Sequence, residues 1–123
     1  MTVLVDTSIW IEHFRKGHPR LTEFLRDGMV LMHPFVLGEL ACGNLKTRGE
    51  ILGDLAELPK AVEATHEETL DLMERRKLWG RGIGWVDAHL IASALLSNCR
   101  LSTIDERLHR AAAHAGVRLE KAG

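Results

Sequence analysis

The chain has 123 residues, 46% apolar and 27% charged, with 16 Lys and Arg against 17 Asp and Glu for a formal charge of -1. These figures fit one globular domain and disfavour a disordered chain, a collagen-like repeat, a coiled coil and an overtly basic nucleic-acid binder. No apolar run approaches the ~20 residues that span a bilayer, and MTVLVDTSIW lacks the basic lead-in of a signal peptide, so a cytoplasmic location is expected.

Val3, Leu4 and Val5 form a short apolar run that stops at Asp6-Thr7-Ser8. Ile9, Trp10, Ile11 and Phe14 then recur at helical spacing, which predicts strand, cap and helix. Gly17 and Pro19 break the chain, and Leu21, Phe24 and Leu25 predict a second helix that Gly28 stops. Trp10, Phe14 and Phe24 are expected in the core. Residues 29–32 read as a second strand, Pro34 opens a helix carrying Phe35, Val36, Leu37 and Leu40, and another helix is expected over about 47–58. Thr65 and Glu68 make a capping box whose helix is expected to reach Trp79, with Arg75, Arg76 and Lys77 near its dipole-negative end. After the glycine-rich GRGIG comes a helix over 85–96, so apolar before Ser93 that it must be largely buried. A strand over 100–104, a helix capped by Asp105 and running to about His114, and a strand over 117–119 complete the chain. Short strands alternating with helices predict a three-layer α/β/α domain with a short-stranded, mainly parallel sheet, a single unit over 1–123.

Cys42 and Cys99 form no C-x-x-C pair and both lie in apolar helical stretches, so buried free thiols are expected. Among the seven histidines, neither His13/His18 nor His109/His114 has the i, i+4 spacing of two zinc ligands on one helix face.

Four acids keep apolar company: Asp6 after VLV, Glu39 inside PFVLGELA, Asp87 inside GWVDAHLIASALL and Asp105 after RLSTI. Asp6, Asp87 and Asp105 fall at predicted helix starts, where a carboxylate can cap backbone N–H groups. Glu39 has no such role. Phe35 and Val36 lie one turn before it and Cys42 and Gly43 one turn after, and an unpaired carboxylate on a buried face costs several kcal/mol. Residues that follow the strands of a parallel sheet gather at its carboxyl edge, where ligands bind. Four anions gathered there repel unless protonated or bridged by a cation. An all-oxygen set without Cys or His selects Mg²⁺ or Mn²⁺.

The segments VLVDTSIWI, PFVLGELACG, GWVDAHLIASALL and LSTIDERL, in this order and at this spacing, resemble the PIN-domain family, and closely its VapC-type toxin ribonucleases. The resemblance runs nearly end to end. It implies a metal-dependent endoribonuclease, the toxin of a toxin–antitoxin pair, cleaving tRNA or rRNA by Mg²⁺- or Mn²⁺-activated water. The family's metal-binding acids correspond to Asp6, Glu39, Asp87 and Asp105, its hydroxyl in the last motif to Thr103, and Ser8 is a polar supporter. Asp6 and Asp87 are expected as direct ligands, with Asp105 and Glu39 as further ligands, water-mediated ligands or base. Thr103 either orients water or phosphate or simply bonds to backbone at a strand end. The resemblance also implies a homodimer and a VapB-type antitoxin whose C-terminal segment occupies an apolar groove and reaches the acids.

Substrate contact needs positive charge. Arg75, Arg76, Lys77 and Arg81 form the densest basic cluster, with Arg15, Lys16 and Arg20 a second; each can equally be a solvated helix face. GRGIG follows a helix instead of a strand, so a flexible connection is expected there and not a phosphate cradle. Two other readings stay open. One is a non-catalytic PIN-like binding module in which the acids are caps. The other is a haloacid-dehalogenase-like phosphohydrolase, whose chemistry wants a second Asp where this chain has Ser8. Setting four of the 17 acids aside for metal leaves 13 against 16 basic residues, so the charge balance does not weigh against RNA.

Overall fold

The computed structural model describes residues 1–121; the last two residues of the expected 1–123 domain lie outside the described residues. Four short strands, β1 (Val3–Val5), β2 (Val30–Leu31), β3 (Arg100–Ser102) and β4 (Leu119–Glu120), form one fully parallel sheet in the order β2-β1-β3-β4. Seven helices among the described residues flank it: α1 (Thr7–Lys16), α2 (Pro19–Arg26), α3 (Pro34–Ala41), α4 (Arg48–Ala56), α5 (His66–Arg76), α6 (Trp85–Ser97) and α7 (Glu106–His114). Parallel neighbours need a crossover. The chain leaves β1 through α1 and α2 to place β2 on one side, and later places β3 and β4 on the other. The direction of sheet growth therefore reverses between β1 and β3, which is where such sheets bind ligands.

Because helices cover the sheet, its central strands are buried on both faces and read as unbroken apolar runs. Val3, Leu4, Val5 and Leu101 are all buried, as are Trp10, Phe24, Leu90 and Ile91, with Phe14 packed against them. In α6 every residue from 88 to 94 is buried, as the apolar run predicts, but Trp85, Leu95 and Leu96 at its ends are exposed. No helix among the described residues is long and apolar enough to cross a membrane.

The sequence misjudged several element ends and one thiol. Helix α5 stops at Arg76, short of Trp79, because Lys77 takes the left-handed conformation at φ 52° and closes the helix through its N–H to Met73 O. Leu78 then turns into the core and Trp79 is left exposed. The strand expected over 100–104 ends at Ser102, where its pairing partner β1 ends at Val5. The last strand begins at Leu119, not Val117, since the Val117 N–H is taken by Ala112 O at the end of α7. Cys99 is buried, but Cys42 is exposed, since α3 ends at Ala41 and leaves it as the C-cap.

Two histidines do unexpected work. His18 and His33 each precede a proline and cap the following helix, Nδ1 accepting from Leu21 N–H at 3.1 Å and from Phe35 N–H at 3.0 Å. Sequence reasoning looked for Ser, Thr, Asp or Asn at such positions.

Glu120, at the end of β4, is buried and accepts from Arg20 Nε at 3.0 Å and Arg100 Nη1 at 2.9 Å. Arg20 also lies over the Phe24 ring at 4.3 Å. A candidate RNA contact is thus committed to joining α2, β3 and β4, and Lys16 pairs with Glu12. Glu120→Ala strands two partly exposed guanidinium groups. It is expected to lower the urea midpoint by the equivalent of about 1–2 kcal/mol; an unchanged midpoint would make the clamp energetically irrelevant.

Candidate active site

The ends of β1 and β3 lie side by side, tied by Asp6 N–H to Ser102 O at 2.9 Å. The next residue on each strand is polar and buried: Asp6 is 7% exposed and Thr103 only 1%. Asp6 Oδ2 accepts two hydroxyl hydrogen bonds, from Ser8 at 2.7 Å and Thr103 at 2.8 Å. Although Asp6 occupies the N-cap position of α1, its side chain caps no backbone N–H. The cap reading of Asp6 is therefore wrong.

Thr103 Oγ1 also accepts from Asp105 N–H at 3.0 Å, and Ser8 Oγ accepts from Ile104 N–H at 3.3 Å. The two hydroxyls stand 3.3 Å apart. Thr103 thus bonds to backbone at the strand end, as one of its two readings expected, and in addition donates to Asp6. Its hydroxyl is buried and engaged, so it acts through Asp6 and the Asp105 backbone.

The other acids come from helix ends and one helix side. Asp105 caps α7 as predicted, Oδ1 accepting from Arg107 N–H at 2.9 Å and Leu108 N–H at 3.3 Å. Asp87, half-buried in the first turn of α6, accepts from Gly84 N–H through Oδ2 at 2.9 Å. Glu39 is exposed, contrary to its expected apolar burial, because Val36 and Leu40 carry the inward face of this short helix. Its Oε1 accepts from Thr7 Oγ1 at 2.6 Å. Thr7 went unremarked in the sequence although it stands between Asp6 and Ser8.

The four carboxylates share one electrostatic environment. The Asp87 carboxyl is pushed above the usual aspartate range first by burial and then by the negative charges of Asp6, Asp105 and Glu39, against the opposing Gly84 N–H. In all four acids one oxygen is held by a protein donor: Asp6 Oδ2, Glu39 Oε1, Asp87 Oδ2 and Asp105 Oδ1. The second oxygen of each accepts no hydrogen bond from the described residues.

Among the described residues no three His, Cys, Asp or Glu side chains already converge on one metal position. The donor chemistry nevertheless fits a hard divalent cation: four carboxylates, three of which act electrostatically on Asp87, each with an uncommitted oxygen and no sulfur or imidazole among them. Such a charge would relieve the repulsion acting on Asp87.

Beside Glu39 runs a groove of about 540 Å³, lined by Phe14, Arg15, Leu40, Lys46 and Ile51. In the basic cluster, Arg75 is paired with Asp71 at 2.7 Å and Arg81 Nε donates to Lys77 O at 2.9 Å. Arg76 and Lys77 are exposed beside them. Lys77 and Arg81 lie in the segment between α5 and α6 that leads to Gly84 and Asp87.

The chain is similar to known proteins in sequence and in fold. The chain is 50% identical over 118 residues to Ribonuclease VapC32 of Mycobacterium tuberculosis, in strains CDC 1551 / Oshkosh and ATCC 25618 / H37Rv, across 95% of each chain. Its fold is similar to DNA-bound VapBC from Salmonella typhimurium, with a TM-score of 0.76 at 18% identity over 100% of this chain and 99% of that one. It is similar also to VapBC-1 from nontypeable Haemophilus influenzae, with a TM-score of 0.75 at 17% identity over 99% and 98% of the two chains. Residues 3–114 match the PIN domain family, a span that takes in all four acids and both strand ends that present them, and the chain belongs to that family.

Proposed function

We propose that this protein is a cytoplasmic, Mg²⁺- or Mn²⁺-dependent endoribonuclease built as a single PIN-like unit, the toxin of a toxin–antitoxin pair. The observation that carries the reading is the set of four carboxylates at the sheet's switch point, each fastened by one oxygen with the other uncommitted. Caps alone do not account for it, since neither Asp6 nor Glu39 accepts from a backbone N–H through its side chain. The 50% identity to a ribonuclease over almost the whole chain points the same way.

Asp6 and Asp87 are assigned as direct ligands, with Asp105 and Glu39 completing the shell directly, through water, or as the base. The ion supplies a water of lowered pKa and a Lewis acid for the phosphodiester oxygen. Ser8 and Thr103 hold Asp6 in one rotamer, and Thr7 does the same for Glu39. RNA of the tRNA or rRNA class is the substrate, with Arg76, Lys77 and Arg81 as outlying phosphate contacts and Arg75 joining them when its pair with Asp71 opens. A VapB-type antitoxin fits the groove beside Glu39, whose apolar lining and Arg15 and Lys46 suit an amphipathic acidic segment. The active assembly is a homodimer.

Pure protein incubated with total cellular RNA in Mn²⁺ should give discrete ends that identify the substrate, and EDTA should abolish them; RNA left intact in Mn²⁺ overturns the reading. Thermal melting supplies an independent check. A ligand that binds only the native state stabilises it, by about 2.7 kcal/mol at a hundredfold excess over Kd. Millimolar Mn²⁺ is therefore expected to raise the midpoint by several degrees over EDTA, and an unshifted melt would remove the metal site.

A further inference from the structure

The GRGIG loop, dismissed from sequence as a flexible connection, has a specific packing requirement. Gly82 sits at φ +78°, and a Cβ built on it would lie 2.8 Å from Arg107 Cδ, 3.3 Å from Nε and 3.5 Å from Nη1. The Arg107 side chain therefore lies against the loop at Gly82, where no side chain obstructs it and the backbone conformation suits glycine. Arg107 is exposed, and its guanidinium makes no hydrogen bond or ion pair with the described residues, whereas Arg20, Arg75 and Arg100 are paired to carboxylates.

Its position joins two of the acids. The backbone N–H of Arg107 is held by Asp105 Oδ1, and Gly82 is two residues before Gly84, whose N–H holds Asp87. Two residues of chain reach at most about 7 Å, so the guanidinium lies along the rim between the segments that carry Asp105 and Asp87. A polyanionic substrate approaching four carboxylates needs a cation at that rim. A guanidinium's flat fork of N–H donors matches two phosphate oxygens at once.

We propose that Arg107 grips a backbone phosphate of the RNA strand next to the acidic edge, and that glycine is required at position 82 to let it lie there. The proposal rests on the nuclease reading and is tested apart from it. Binding of a fluorescent single-stranded RNA is measured in EDTA across a salt series, and cleavage is measured separately in Mn²⁺. Loss of one phosphate contact lowers the slope of log affinity against log salt by about 0.7 for single strands. Arg107→Gln is expected to show that change, with affinity at low salt roughly three- to tenfold weaker. Arg107→Lys should keep the slope. In Mn²⁺ the loss for Arg107→Gln should fall mainly on KM. Gly82→Ala should weaken binding as Arg107→Gln does, and the double variant should be no worse than Arg107→Gln alone, because both act through one side chain.

An Arg107→Gln protein with unchanged salt slope overturns the proposal whether or not the wild type cleaves. Additive losses in the double variant overturn the part assigned to Gly82. Intact RNA in Mn²⁺ with a lowered slope in Arg107→Gln would instead overturn the nuclease reading while upholding the phosphate contact.

Discussion

Asp6→Asn and Asp87→Asn are each expected to lower metal-dependent RNA cleavage by roughly 10³-fold or more, while the metal-free fold remains as stable as wild type or becomes more so. The two expectations come from the same geometry. An asparagine oxygen can still accept the Ser8 and Thr103 hydroxyls at position 6, or the Gly84 N–H at position 87, so the hydrogen-bond frame survives. What is lost is one negative charge from a set of four. Cation affinity falls, and so does the repulsion that the native fold bears without a cation.

The pH dependence has a definite sign for Asp87. Its native carboxyl titrates above the usual aspartate range, so the native state binds that proton more tightly than the unfolded chain does. This contribution to stability is fully present below the unfolded pKa and is lost as pH rises through the native one. In EDTA the advantage of Asp87→Asn over wild type should therefore widen as pH rises through that interval and then hold constant. Urea unfolding at several pH values checks this. If both variants cleave RNA at the wild-type rate, the acids are not a catalytic set.

Thr103→Val carries the second large effect. Valine copies the shape of threonine, but it removes the donor to Asp6 Oδ2 and the acceptor of Asp105 N–H. At a site 1% exposed no solvent replaces them, so a stability loss of about 1–3 kcal/mol is expected. Groups that orient metal ligands typically contribute 10- to 100-fold to affinity or activity, and a loss of roughly that size is expected in kcat/KM and in the Mn²⁺ midpoint. Thr103→Ser should recover most of both. A Thr103→Val protein with wild-type metal affinity would show that the hydroxyl serves only the fold.

Much of this site was legible because its chemistry conflicts with its neighbours. A carboxylate directly after VLV or inside GWVDAHLIASALL opposes local hydropathy, and such conflicts mark functional positions. The strands could be placed to within two residues for the complementary reason that runs buried on both faces are continuous in sequence. Other features depended on partners far along the chain. Glu39 read as buried because one-dimensional context does not say which way a short helix faces, and Thr7 looked like ordinary helix start until Glu39 stood opposite it. His18 and His33 were passed over because imidazole ranks low among caps, although each precedes a proline that cannot continue the hydrogen-bond pattern backwards. Gly82 needed Arg107, 25 positions away in the chain, before its missing side chain acquired a reason.

The bond between Thr103 and Asp6 closes a loop of 97 positions, and this bears on how the protein is made. Asp6 is synthesised 97 positions before Thr103 and 99 before Asp105. Strand β1 is central in the sheet, and its neighbour β3 begins 97 positions after it. Contacts so distant in sequence form late and slowly. A growing chain, or one cut short before β3, holds Asp6, Glu39 and even Asp87 without the strand that fixes the first of them. A chain without β3 lacks both the strand that flanks β1 and the hydroxyl that fastens Asp6, so the candidate site is assembled only when segments 97 positions apart are brought together.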